Sequence, residues 1–174
     1  DVIPATPDLS NVEREMAGLT NSELRLSRKL EPLRDLYSVI IIDTPPTFGP
    51  LMNSALNAAD HLIVPVDCNF YALAGIKKLL GEVQEIQLGT NPKLKKMLYL
   101  LTFLDHTNVS KEIAATLSGA FGSNVFETHI RRSVKFREAS ALSRTVFQHA
   151  PESAAAQDYL NLAGELLLKG ASHE

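Results

Sequence analysis

The stretch Ser38-Val-Ile-Ile-Ile-Asp43-Thr-Pro-Pro-Thr-Phe-Gly49 joins four β-branched residues to an aspartate and then to a proline-rich turn. Consecutive apolar residues without alternation predict a strand covered on both faces, which a parallel sheet flanked by helices requires. Two more runs have this character, Leu62-Ile-Val-Pro-Val66 and Met97-Leu-Tyr-Leu-Leu-Thr-Phe103. Shorter strands are expected at Val2-Ile3 and around 126–130.

Between the runs the periodicity changes. Leu73, Ile76, Leu79, Leu80, Val83 and Ile86 recur at spacings of three and four, which predicts one amphipathic helix over 73–88. Ile113, Leu117 and Phe121 predict another over about 111–121, with Ser110 as its cap. A last helix is expected from about 152, with Tyr159, Leu160, Ala163, Leu166 and Leu167 on its buried side. The more polar residues 13–36 predict one or two peripheral helices. Strands alternating with helices imply a doubly wound, mainly parallel α/β sheet flanked by helices.

Composition agrees with that class. The chain has 174 residues, 45% of them apolar and 21% charged, with a formal net charge of −3. At roughly 150 residues per domain this is one domain, large enough for a real core. Collagen-like, low-complexity and wholly disordered classes are excluded, and no apolar run reaches the roughly 18 residues of a membrane span. One cysteine, Cys68, allows no internal disulfide, which fits a cytoplasmic setting.

Ligands of open parallel sheets bind beyond the carboxyl ends of the strands. Polar groups stand at those ends here: Asp43-Thr44, Asp67-Cys68-Asn69 and Asp105-His106-Thr107-Asn108. Three strand ends would therefore converge on one polar rim. An aspartate closing an apolar strand, followed by Thr44-Pro45-Pro46 and Gly49, suits a carboxylate set beside magnesium and a loop that senses a terminal phosphate. The plainer alternative is that Asp43 only caps the turn before a helix near 51–58. His61, His106, His129, His149 and His173 show no metal-ligand spacing, and Cys68 has no identifiable partner base. Phe70 and Tyr71 are expected to pack in the core.

The ordered set of motifs narrows the choice. The stretch from Ser38 to Gly49 is followed by Asn57-Ala-Ala-Asp60-His-Leu-Ile-Val-Pro65 and Tyr71-Ala-Leu-Ala-Gly75. Then come Thr107-Asn-Val-Ser-Lys-Glu112, Ile130-Arg-Arg132-Ser-Val-Lys135-Phe-Arg-Glu138-Ala139, and Ala156-Gln-Asp-Tyr159 after Pro151. Over residues 38 to about 168 this closely resembles the ParA/Soj chromosome and plasmid partition ATPases. The MinD cell-division regulators fit less well.

The resemblance implies a P-loop NTPase-like fold, incomplete at its N-terminus, and an intact protein that binds ATP with Mg2+. Asp43 would be the magnesium-linked carboxylate, acting through water, within a switch loop containing Thr44, Pro45 and Pro46. Phe103, Asp105, Ile130 and Arg131 would lie where the family encloses the adenine. Arg132 and Lys135 match positions on a nonspecific DNA-binding surface. Further implications are a homodimer when ATP is bound, stimulation by a ParB-like centromere-binding protein, no membrane attachment, and a cytoplasmic, nucleoid-associated location. The sequence itself supports the DNA surface, because residues 127–148 hold Arg131, Arg132, Lys135, Arg137 and Arg144 against only Glu127 and Glu138.

Departures from the family pattern also stand out. No G-x-x-x-x-G-K-[ST] loop occurs, although phosphates need its backbone N–H groups and lysine. Residues 1–174 are therefore expected to be the C-terminal portion of a single ATPase domain, with the P-loop and first strands upstream, and to be inactive alone. Arg131 replaces the proline of an Ile-Pro-Arg signature, Asp67 replaces a glutamine, and His106 stands where some relatives carry a DNA-contacting arginine. Alternatives are a non-enzymatic DNA- or partner-binding relative, a MinD-like positioning ATPase, or an amide-forming ligase of the same superclass.

Overall fold

The computed structural model describes residues 1–16, 18–69, 72–104 and 107–171, with the side chains of Ser10, Gly170 and Ala171 excepted. Two compact units are present, Asp1–Leu62 with Leu79–Lys96, and Ile63–Lys78 with Met97–Glu174.

In the first unit, helices α1 (Leu9–Met16), α2 (Arg25–Leu30) and α3 (Pro50–Ala58) pack through α3. Gly49 is extended and Pro50 opens α3, where its fixed φ suits a helix start and its missing N–H costs nothing. The far end of α3 is closed by side chains. Asn91, itself buried, donates from Nδ2 to the carbonyls of Leu56 and Ala59, both at 2.8 Å. Arg34 donates to the carbonyl of Ala58 at 2.9 Å and pairs with Asp60 at 3.2 Å. These groups satisfy carbonyls that every helix end leaves unpaired.

The expected strands at 39–42 and Val2-Ile3 do not form. Val39, Ile40 and Ile41 are exposed, Ile41 to 84%, and no strand among the described residues pairs with either segment. An apolar run becomes a strand only when a neighbour takes up its N–H and C=O groups, and neither segment has one.

The second unit contains β1 (His61–Asp67) from Ile63 onward, the first part of α4 (Ala72–Leu88), and β2 (Lys96–Leu104) from Met97. These are followed by α5 (Asn108–Phe121), β3 (Ile130–Arg131), α6 (Val134–Ala141), α7 (Val146–His149) and α8 (Ala154–Ala171). Sheet order is β1-β2-β3, with β2 and β3 parallel. Leu98, Tyr99, Leu100 and Leu101 are all buried, so β2 is covered on both faces as expected. β1 instead alternates, with Val64 and Val66 buried and Pro65 exposed, which suits an edge strand because proline cannot donate to a ladder.

Leu98, Leu100, Phe126 and Ile130 form one hydrophobic cluster in the core of this unit, and Ile63, Phe136, Leu162 and Leu166 pack against it. On the other face of β2, Tyr99 stacks on Phe121 with ring centroids 4.1 Å apart. Helix α5 is capped by Thr107, whose side chain accepts from the Ser110 N–H, rather than by Ser110. Helix α8 is rotated from the expected phase: Tyr159, Leu160 and Leu167 are exposed, and Ala155, Ala156 and Asp158 are buried. Among the described residues no helix is long and apolar enough to cross a membrane.

Candidate functional site

Asp43, Thr44, Pro45 and Pro46 lie in the first unit, in a segment without regular secondary structure that leads into α3. Asp43 and Thr44 are exposed. Magnesium retains several waters and takes few protein ligands, so a single carboxylate fits it. Among the described residues no group of three or more His, Cys, Asp or Glu side chains could hold an ion directly.

The remaining candidates lie in the second unit. Asp105, His106, Phe70 and Tyr71 are outside the described residues. The residue after β1 meets the start of α5: the Ser110 hydroxyl, in the first turn of that helix, donates to the carbonyl of Cys68 at 3.4 Å.

At the end of β2, Thr102 pairs with Ile130 and Leu104 with Arg131, so three residues of one strand oppose two of the other. Phe103 is the extra residue. Its φ of 53° lies in the left-handed region that a bulky side chain rarely adopts, and its ring is partly exposed. The Arg132 guanidinium lies over that ring, 5.5 Å from its centroid. Ile130 turns its side chain into the core and offers only backbone to a ligand.

Arg131 is engaged elsewhere. Its side chain donates from Nη2 to Asp158 Oδ1 at 2.6 Å, from Nε to both carboxylate oxygens, and from Nη2 to the Ala154 carbonyl at 3.4 Å. Its backbone N–H donates to Asp158 Oδ2 at 3.1 Å. Two turns further along α8, the Glu165 carboxylate accepts the N–H groups of Glu127 at 2.8 Å and Thr128 at 2.9 Å. Burial pushes both acids up, but hydrogen bonds and nearby positive charge outweigh it. Arg131 holds the Asp158 carboxyl below the usual carboxylate range, with a smaller contribution from His129. The Thr128 and Glu127 N–H groups and Lys169 do the same for Glu165.

Lys135, at the start of α6, donates to Glu138 Oε2 at 2.8 Å, and His149 Nε2 lies 2.9 Å from the same oxygen. The Lys135 hydrogen bond and then the His149 one lower the Glu138 carboxyl. Of the five cations in 127–148, Arg131 and Lys135 are therefore paired. Arg132, Arg137 and Arg144 are exposed with no acidic partner among the described residues.

Sequence periodicity missed Asp158 and Glu165, because the buried side of α8 was assigned by apolar residues alone. Two acids seven apart, on the same face as Leu162 and Leu166, were the available signal.

A family model described as an AAA domain matches residues 1–96. The chromosome-partitioning ATPase Soj of Thermus thermophilus is 39% identical over 170 residues, covering 97% of this chain and 66% of that protein. The sporulation initiation inhibitor protein Soj of Bacillus subtilis is 38% identical, covering 98% of this chain and 68% of its own length. The chain thus spans about two thirds of the length of these relatives. Among solved structures, Cyanothece apo McdA matches with a TM-score of 0.80 at 20% identity, covering 94% of this chain and 67% of that one. Cobyrinic acid a,c-diamide synthase from Mycobacterium smegmatis, with bound ATP analog and magnesium, matches with a TM-score of 0.67 at 30% identity, covering 79% and 59%.

Proposed function

The chain belongs to the ParA/Soj family of partition ATPases, and from that premise we propose that the protein carrying it is a DNA-partition ATPase. It would bind Mg-ATP, dimerise in that state, coat DNA without reading sequence, and hydrolyse ATP when a DNA-bound partner of the ParB type stimulates it. The observation that carries the reading is the likeness to Soj over 97% of the chain.

The residues present would divide the work as follows. Asp43 would orient magnesium through water, and Thr44, Pro45 and Pro46 would form the loop that responds to the terminal phosphate. Bound Mg-ATP would supply the phosphoryl group that water attacks, and positioning and charge neutralisation would be the protein's task. Phe103, with Asp105 and the backbone of Ile130 and Arg131, would border the base. Arg132 and Lys135 would face DNA, and Arg137 and Arg144, exposed and without acidic partners among the described residues, would extend that surface.

These 174 residues contain no Gly-rich lysine loop to neutralise phosphates. We place that loop upstream in the same domain and expect this chain alone to be inactive. ATP titration and phosphate release, measured on this chain and on the full-length protein, test both statements. Turnover by the 174 residues alone would overturn the second. A full-length protein that neither hydrolyses ATP nor binds random-sequence DNA would overturn the reading itself.

A further inference from the structure

The sequence pattern sets Arg131 beside Arg132 as one of five clustered cations, yet the two side chains have opposite fates. Arg132 lies over Phe103 on the surface. Arg131 turns back to α8 and commits both its fork and its backbone N–H to one carboxylate, Asp158, which is only 5% exposed. Two hydrogen-bonding modes from one residue to one buried acid fix the peptide at 131 in position and direction. That peptide directly precedes Arg132, and Ser133 then caps α6 by accepting the Lys135 N–H at 3.2 Å. Without Asp158 the Arg131 peptide would keep only its pairing with β2.

We infer that Asp158 is a positioning residue: through Arg131 it fixes the loop that presents Arg132 and α6 to DNA phosphates, and the Arg131 side chain contacts neither DNA nor nucleotide. This rests on the DNA-binding reading above.

The two roles for Arg131 predict opposite signs. If Arg131 were a phosphate contact restrained by its acid, Asp158→Asn would release it and tighten DNA binding. Arg131→Lys would keep the charge and bind almost normally. If the pair positions the loop, both variants weaken binding, because a lysine cannot reproduce the bidentate fork.

The test uses the full-length ATP-bound protein and random-sequence duplex DNA across a salt series, with hydrogen exchange read at single amides. We expect Asp158→Asn and Arg131→Lys each to weaken DNA binding about three- to tenfold, and the Arg131 amide to exchange about tenfold faster in Asp158→Asn. The Glu127 and Thr128 amides, held by Glu165, keep their protection in a variant that remains folded. In an Arg132→Ala background each variant weakens binding by less than it does in the otherwise unsubstituted protein. Tighter binding by Asp158→Asn, an unchanged Arg131 amide, or losses that add in full to that of Arg132→Ala overturn the inference. The two failures are separable: an unsubstituted protein that binds no DNA removes the DNA reading and this role with it. Normal DNA binding unaffected by either variant removes the positioning role alone.

Discussion

The guanidinium of Arg132 rests over the ring of Phe103, joining the end of β2 to the residue after β3. Phe103 can present its ring there because, as the extra residue of β2, it stands out of the ladder. The stacking orders an exposed cation before any partner arrives, so less side-chain entropy is lost on binding.

Unequal contributions from two basic residues follow for DNA binding. Lys135 is shared with Glu138, whereas Arg132 has no acidic partner among the described residues. Arg132→Ala is expected to weaken random-DNA binding by the full-length ATP-bound protein more than Lys135→Ala does. It should also lower the salt slope by about 0.9 for each phosphate that is no longer neutralised. Glu138→Gln should strengthen binding by releasing Lys135. Equal losses from the two alanine variants would contradict the charge assignment.

Acid stability depends on α8. Asp158 and Glu165 are both held below the usual carboxylate range in the folded protein. A group whose folded pKa is depressed stabilises the fold above its unfolded pKa, and that contribution is lost as pH falls through the folded pKa. Stability to urea is therefore expected to decline from about pH 5 downward, and Asp158→Asn and Glu165→Gln should each flatten that decline. A midpoint-versus-pH curve of unchanged shape in both variants would argue against the clasp as a source of acid sensitivity.

Asn91 tests the first unit. Its side chain closes the end of α3 by donating to two carbonyls while buried. Asn91→Ala strands those acceptors, at a cost of about 1–3 kcal/mol. The melting temperature should fall by about 2–4 °C for each kcal/mol in a chain of this size. Thermal melting followed by circular dichroism reads this directly, and an unchanged midpoint would show that water replaces the amide without loss.

Asp43 separates structure from chemistry. It is exposed and ends no ladder, so Asp43→Asn should leave melting unchanged. In the full-length protein it should reduce magnesium-dependent phosphate release by about 10- to 100-fold, as losing a carboxylate that acts through a metal-bound water does elsewhere. Undiminished turnover would return Asp43 to a plain turn residue.

Much of the second unit was legible in sequence. The unbroken run in β2 and the spacing in α5 each encode a local environment that neighbours in the chain repeat. The stripe of α4, which runs from the second unit into the first, was legible only in part, since Ile76, Leu79, Val83 and Ile86 are buried whereas Leu73 and Leu80 are exposed. The position of Thr107 just before Asn108 was also local, yet Ser110 looked equally able to cap α5 because both hydroxyls lie near the helix start. The stretch 39–42 carried the strongest strand composition and forms no strand here, since composition expresses preference and a ladder needs a partner. Asp158 was hidden for a related reason. An acid on an apolar helix face reads as solvent-facing until its counter-ion is known.

The amino-acid sequence by itself determined the family, the α/β class and the order of the motifs, because these follow from local periodicity and from residues in fixed order. Only the tertiary structure decided which face of α8 is buried, which cations remain available and what Arg131 does. Arg131 and Asp158 are 27 positions apart. No periodicity spans that distance, so whether a charge meets a ligand or clasps its own chain is settled only when folding sets donor against acceptor.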